Sequence, residues 1–277
     1  VSELRRVRLV VAYDGAGFHG FAANPGVRTV MGELVAAIAR ITRRSVADVV
    51  LTGAGRTDAG VHGWGQVVSG DLPAATDLAD LARRVNKLCA PGIAVRSAEW
   101  AAPGFDARFS ATSRTYRYQL WNDPVPNPLI AGRVWHVARP LDVAAWRVAA
   151  TALVGEPDFS AFCRRPAPRQ GAAGDGGSVS LVRIVYEVRL DDTAAPLLDV
   201  WIRASAFCHQ QVRSMVGTLV DVGTGRIAAD DVAGILAAGD RTRAGQVAPP
   251  TGLTLWEVGY DGARWDSQPL GNPVRRP

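Results

Sequence analysis

The chain has 277 residues, enough for one large domain or two modest ones with a substantial core. Its 48% hydrophobic and 21% charged content is that of a globular protein, and no run approaches the roughly 18 apolar residues of a membrane span. Thirty-one Lys and Arg against 26 Asp and Glu leave a net charge of +5, which suits either a polyanion partner or a solvated basic face.

Lys87 is the only lysine, so arginine carries the positive charge, in clusters such as Arg5-Arg6-Val7-Arg8, Arg43-Arg44 and Arg164-Arg165. Cys89, Cys163 and Cys208 are scattered, no C-x-x-C occurs, and the four histidines lie far apart in sequence. That pattern predicts neither a disulfide framework nor a metal site. The N-terminal "VSELRRVRLVVAYDG" lacks the long apolar run and small-residue cleavage site of a signal peptide, so the expected location is cytoplasmic.

In chain order, "VRLVVAY" (7–13) reads as a strand. Thr29 then caps a helix in which Val30, Leu34, Val35, Ile38 and Ile41 follow a helical period. "DVVLTG" and "GQVVSGDL" read as strands flanking a glycine-rich loop. A second helix, capped near Thr76, places Leu78, Leu81, Val85 and Leu88 on one face and ends at Pro91-Gly92, before the strand "IAVRSAEW". Strands alternating with two helices predict a first α+β half over residues 1–105.

Residues 106–277 repeat the plan with longer pieces. "SRTYRYQLW" is a strand, and Asp142 caps a helix that runs to about Val154 and stops at Gly155. "LVRIVYEVRL" alternates, with Val182, Ile184, Tyr186, Val188 and Leu190 facing one way and Arg183, Glu187 and Arg189 the other. "LLDVWIRASAF" pairs with it as a hairpin, and a helix runs from about Phe207 to Val222. Residues 164–178, rich in Gly, Pro and Arg, read as a loop that builds no core. The expected fold is α+β: two α/β-sandwich halves of ferredoxin or RRM type, joined into a central mixed, mainly antiparallel sheet with a catalytic cleft between them.

"GAGFHG" (15–20) matches G-x-G-x-x-G, but no helix starts there and no acid follows about 20 residues on, so its glycines read as turn residues and no dinucleotide is expected. The stretch "TGAGRTDAGVHGWGQV" (52–67) sets a single acid, Asp58, among five glycines. A plain surface loop is one reading. The other is a rigidly held site in which Arg56 and Asp58 project into a cleft, since glycine admits close ligand approach to the main chain. No Gly-Lys-Ser/Thr follows to make a phosphate loop. Asp58 with His62 supplies only two metal ligands, and a lone carboxylate falls short of the glycosidase pair.

Two later segments offer partners. On the strand "RTYRY", Tyr116, Tyr118 and Leu120 share one face, with Arg117 and Gln119 on the other. In the helix "AFCHQQVRSMVG", Arg213 lies on a stripe with Val216, Gly217 and Val220. An arginine beside an apolar stripe either snorkels to water or meets a carboxylate, and Asp58 is the candidate.

Together these segments closely resemble the tRNA pseudouridine synthase A family. "AGRTDAGVHGWGQV" resembles its catalytic loop, "FDARFSATSRTYRY" its hallmark segment and "FCHQQVRSMVGTLVDVG" its late helix. "YDGAGFHGF" and "GLTLWEVGY" fit the flanking patterns, so the likeness spans roughly residues 5 to 260. The resemblance implies that Asp58 is the essential aspartate engaging the uridine. It implies that Tyr116 packs on the uracil ring and helps remove the C5 proton, and that Arg213 pairs with the aspartate. It implies Arg56 as the arginine that displaces the target nucleotide, with Arg114, Arg117 and His62 as further RNA-binding positions. It also implies no cofactor and no metal, a homodimer, and tRNA as partner through the anticodon arm at positions 38 to 40. Phe21 stands where the family has tryptophan, and Gln211 where methionine is common. Two other readings were a non-catalytic RNA-binding α+β module and a nucleoside N-glycosidase.

Overall fold

The computed structural model describes residues 3–164 and 180–260; most of the 164–178 loop therefore lies outside the described residues. The first strand, β1 (Leu4–Tyr13), buries Val7, Leu9, Val11 and Tyr13 by simple alternation. It leads to α1 (Val30–Thr42), whose first turn is closed by the Thr29 hydroxyl accepting from the Gly32 N–H at 3.2 Å. Then follow β2 (Leu51–Gly53), β3 (His62–Pro73), α2 (Leu78–Leu88, capped by Asp77) and β4 (Ile93–Trp100). The second half contributes β5 (Ser113–Trp121), β6 (Trp135–His136), α3 (Val143–Thr151), β7 (Val185–Asp191) and β8 (Leu197–Ala204). It ends with α4 (Gln211–Gly223), α5 (Asp231–Ala238) and β9 (Leu253–Gly259).

The strands form one mixed sheet in the order β4-β1-β3-β9-β5-β8-β7, with β2 beside β3 and β6 beside β5. Pairing is antiparallel except for β3 with β9 and β5 with β6. The α+β expectation therefore holds, and the last strand lies between elements of the first and second halves. Tyr13 pairs with Gly63, Gly63 with Leu255 and Leu255 with Tyr116. Paired residues point to the same side of a sheet, so this register fixes both helix layers on one face. One core packs α1 and α2 on β1, β3 and β4 through Val7, Leu34, Ile38, Leu72 and Val85. The other packs α3 and α4 on β5, β8 and β9 through Tyr118, Trp146, Val200, Met215 and Leu255.

Three details depart from the sequence reading. Residues 46–48 form a 3-10 turn, which shortens β2 to three residues. The helix expected from about Phe207 starts only at Gln211, because Gln210 takes a left-handed conformation with φ 65. The alternation assigned to "LVRIVYEVRL" is broken by a register shift between Val185 and Glu187. A bulge reverses which residues face the core, so Val185 is buried while Val182, Ile184 and Tyr186 are exposed.

Candidate active site

The loop between β2 and β3 carries Asp58, and its backbone is tied down at nearly every step. The Ala54 N–H donates to Val67 O at 2.8 Å, and Gln66 Nε2 donates to Gly55 O at 2.8 Å. The Phe21 N–H donates to Thr57 O at 3.1 Å, and the Thr57 hydroxyl meets the Tyr13 hydroxyl at 2.9 Å. Val61 N–H closes the turn on Asp58 O at 3.1 Å. A net contribution of about 1 kcal/mol for each such bond makes a loop of permissive residues rigid. "GAGFHG" is the other side of this clamp. A side chain at Gly15 would collide with the Val61 carbonyl, and Gly20 turns with φ +95.

Asp58 points from this loop toward α4 and is half-buried, with 30% of its side chain exposed. Arg213 Nη1 donates to its Oδ2 at 3.3 Å, and the arginine, 14% exposed, also donates from Nε to Ala248 O at 2.7 Å. Of the two sequence readings for Arg213, pairing with Asp58 is the one observed. His209 Nε2 lies 3.3 Å from the other oxygen, Oδ1. The segment 246–252 staples the parts together. Ala248 brackets Arg213, Pro249 O accepts from the Tyr118 hydroxyl at 2.8 Å, and Thr251 O lies 3.1 Å from His62 Nε2. Gly217 lets α4 run against this segment, since a methyl there would overlap the Gln246 carbonyl.

Tyr116 lies on the same face as this cluster, buried, with its ring edge-on to Phe207 at 5.2 Å. Burial first, then the neighbouring Tyr13 and Asp58, push its phenol well above the ordinary value of 10.0, against an opposing Arg114. The resting site therefore holds Tyr116 as a neutral phenol at physiological pH. Arg56 is exposed beside Asp58 in sequence, with its side chain toward solvent.

The remaining sequence-expected RNA contacts sit differently. Arg114 spends its guanidinium on four main-chain carbonyls, of Ala54, Arg108, Ala111 and Ser205, at 2.8–3.3 Å. It braces the loop that carries Asp58. Arg117 faces the opposite side of the sheet, bonded to Asp199 at 2.6 Å and lying over the rings of Trp256 and Trp201. His62 is 4% exposed, wedged between the two halves of the site. In the folded chain Arg114, Arg117 and His62 are each bonded to other parts of the protein.

For His62 the bonding selects a tautomer. Nδ1 accepts from the Gly15 N–H at 3.1 Å, so Nε2 carries the proton toward Thr251 O. Asp14 Oδ1 also lies 3.1 Å from Nδ1, a contact that becomes an ion pair only on protonation. Burial outweighs the pull of Asp14 and holds the imidazole below its ordinary 6.5. The unfolded chain lacks that burial and takes up a proton near pH 6.5, whereas the folded chain resists it. Stability from this group is complete above that pH and is lost as pH falls below it. Urea unfolding at pH 7.5 and 5.5 should show the wild-type protein weakening at the lower pH, with a smaller difference in His62→Gln.

Sequence reasoning missed His209, the Tyr13–Thr57–Gln66 clamp and the 246–252 staple. His209 left no helical signal, since it precedes the left-handed Gln210 and lies outside α4. The departures are absorbed locally. Phe21 is buried beside Tyr13 at 5.8 Å between ring centres, and Gln211 Oε1 accepts from the Cys208 N–H at 2.9 Å. Among the described residues, no three His, Cys, Asp or Glu side chains converge as metal ligands would, and no helix is long and apolar enough to cross a membrane.

A half-buried carboxylate paired with a guanidinium, with a buried tyrosine on the same face of the sheet, is an arrangement capable of acid–base or nucleophilic chemistry. The comparisons agree with this class. A family profile described as tRNA pseudouridine synthase matches residues 149–261. The tRNA pseudouridine synthase A of Cutibacterium acnes is 42% identical over 258 residues, covering 93% of this chain and 89% of that protein. Its counterpart in Frankia casuarinae is 44% identical over 93% of this chain and 90% of its own length. That of Bacillus subtilis is 38% identical over 92% and 99%. The chain belongs to the tRNA pseudouridine synthase A family.

Proposed function

We propose that this protein isomerises uridine to pseudouridine in the anticodon arm of tRNA, at positions 38 to 40, with Asp58 as the group that engages the nucleoside. The single observation that carries the site reading is the Asp58–Arg213 pair, closed across 155 residues of sequence on a loop anchored at almost every residue. The reaction breaks the N1–C1′ bond, turns the uracil and rejoins it through C5, with the C5 proton lost to solvent. It is neither a redox change nor a hydrolysis. A carboxylate serves as nucleophile or as base in such a sequence, and Arg213 orients it.

Asp58 keeps part of its side chain exposed, which leaves the carboxylate within reach of a substrate from outside. Drawing the uridine from its stack costs a few kcal/mol. Contact with Tyr116, worth about 1–3 kcal/mol for a base on an aromatic ring, offsets much of that. The exposure of Arg56, two residues from Asp58, supports its reading as the arginine that takes the space the nucleotide leaves. A neutral Tyr116 phenol acts as a packing surface in the resting site.

The reading extends to a homodimer in the cytoplasm and to halves spanning 1–105 and 106–277. Two separate apolar cores support the halves. The sheet face away from the helices supports the dimer. It bears Trp64, 43% exposed and stacked on Trp256 at 5.9 Å, with Trp201 and Arg117 alongside, an aromatic patch of the kind a second copy covers.

Unmodified tRNA carrying tritium at uridine C5 tests the whole assignment. Tritium released from positions 38 to 40, with pseudouridine retained in the RNA, is the expected result. Free uracil would mark a glycosidase, and no release from a folded protein across several tRNAs would mark a binding module.

A further inference from the structure

The carboxylate of Asp58 has two unlike keepers. Arg213 reaches Oδ2 through one nitrogen, Nη1, and is tethered through Nε to Ala248 O. A single contact on one oxygen leaves the carboxylate free to turn about Cβ–Cγ, a torsion with a broad, shallow profile. His209 supplies the second point of contact, with Nε2 3.3 Å from Oδ1, close enough for a protonated imidazole to form an ion pair but not aligned as a hydrogen bond. The backbone around the histidine is itself fixed, because Arg164 N–H donates to His209 O at 3.0 Å and Gln210 makes the left-handed turn into α4. Its imidazole is 48% exposed, against 14% for the Arg213 side chain. One partner is locked and the other can swing aside.

We infer that His209 is a positioning residue for the isomerisation: it fixes the plane of the Asp58 carboxylate in the empty site and yields Oδ1, rather than Oδ2, to the incoming uridine. The inference rests on the reading of Asp58 as the reacting group. Neither keeper alone suffices. Arg213 without His209 leaves the carboxylate to rotate, and His209 without Arg213 gives a partner that the substrate displaces.

The test compares wild type, His209→Ala and His209→Gln in single-turnover tritium release from C5-labelled tRNA, with filter binding of the same RNA. Glutamine offers an amide N–H at a reach similar to Nε2. His209→Ala should slow the single-turnover rate about tenfold, with the RNA dissociation constant changed by less than about twofold. His209→Gln should stay within about threefold of wild type. Equal rates for wild type and His209→Ala overturn the inference. So does loss in both variants together with a lowered melting temperature, which marks a packing role. Weakened RNA binding that accounts for the whole effect also overturns it, and marks a phosphate contact. Absence of release from wild type itself defeats the isomerase reading and this assignment with it, so the two failures appear in different samples.

Discussion

Asp58→Asn should abolish turnover while leaving the protein folded and able to bind tRNA. The substitution conserves shape, and the amide keeps an oxygen that can accept from Arg213 Nη1, now 3.3 Å from Oδ2. What disappears is a group able to attack carbon or accept a proton, since an amide does neither at useful rates. A lost nucleophile or base costs roughly 10⁴-fold or more, so tritium release should fall to background. Affinity for RNA comes mainly from phosphate contacts, which this change does not touch, and filter binding should show it within about threefold of wild type. Substantial release from Asp58→Asn would remove Asp58 from the chemistry. Lost binding with a lowered melting temperature would instead make the carboxylate a structural element.

Much of this architecture is legible in the sequence because it is local. Val7, Leu9 and Val11 alternate as a strand must, and Thr29 marks the start of α1 through its own hydroxyl. Tyr116, Tyr118 and Leu120 share the face their spacing assigns, with Arg117 and Gln119 opposite and both bonded to Asp199. The pairing of Arg213 with Asp58 is one of two readings the sequence offers for a charge on an apolar stripe, and the folded chain selects it.

What local pattern cannot carry is the set of contacts made across the sheet. The four acceptors of Arg114 come from three separate stretches of chain, and only the folded arrangement brings Ala54, Arg108 and Ser205 around one guanidinium. His62 follows the catalytic loop and resembles a ligand. Its partners Gly15 and Thr251 lie 47 and 189 residues away. The bulge at Val185 reverses an alternation that reads cleanly as text, because a strand's phase is set by its neighbour as well as by its own residues.

Arg213→Lys separates the two duties of that arginine. Its Nε bonds Ala248 O at 2.7 Å while Nη1 bonds Asp58 at 3.3 Å, and a guanidinium serves both because its donors are spread along a rigid fork. An ammonium gathers its three donors on one nitrogen at the end of a flexible stem, which cannot stand at the Nε and the Nη1 positions at once. Either Asp58 loses its fixed partner or a mostly buried carbonyl loses its donor, the latter costing about 1–3 kcal/mol. The expected result is a fall of about 10²-fold in the single-turnover rate, the scale for removing one oriented donor from an active site. Thermal stability should drop modestly and tRNA binding should be largely kept. Combining the change with Asp58→Asn identifies the cause. If Arg213 acts through the carboxylate, lysine at 213 lowers the residual rate of the Asp58→Asn protein hardly at all, since coupled residues are strongly non-additive. An undiminished second loss in the double variant would mean that Arg213 acts on the substrate directly, and the Asp58–Arg213 pair would cease to be the unit on which the reaction turns.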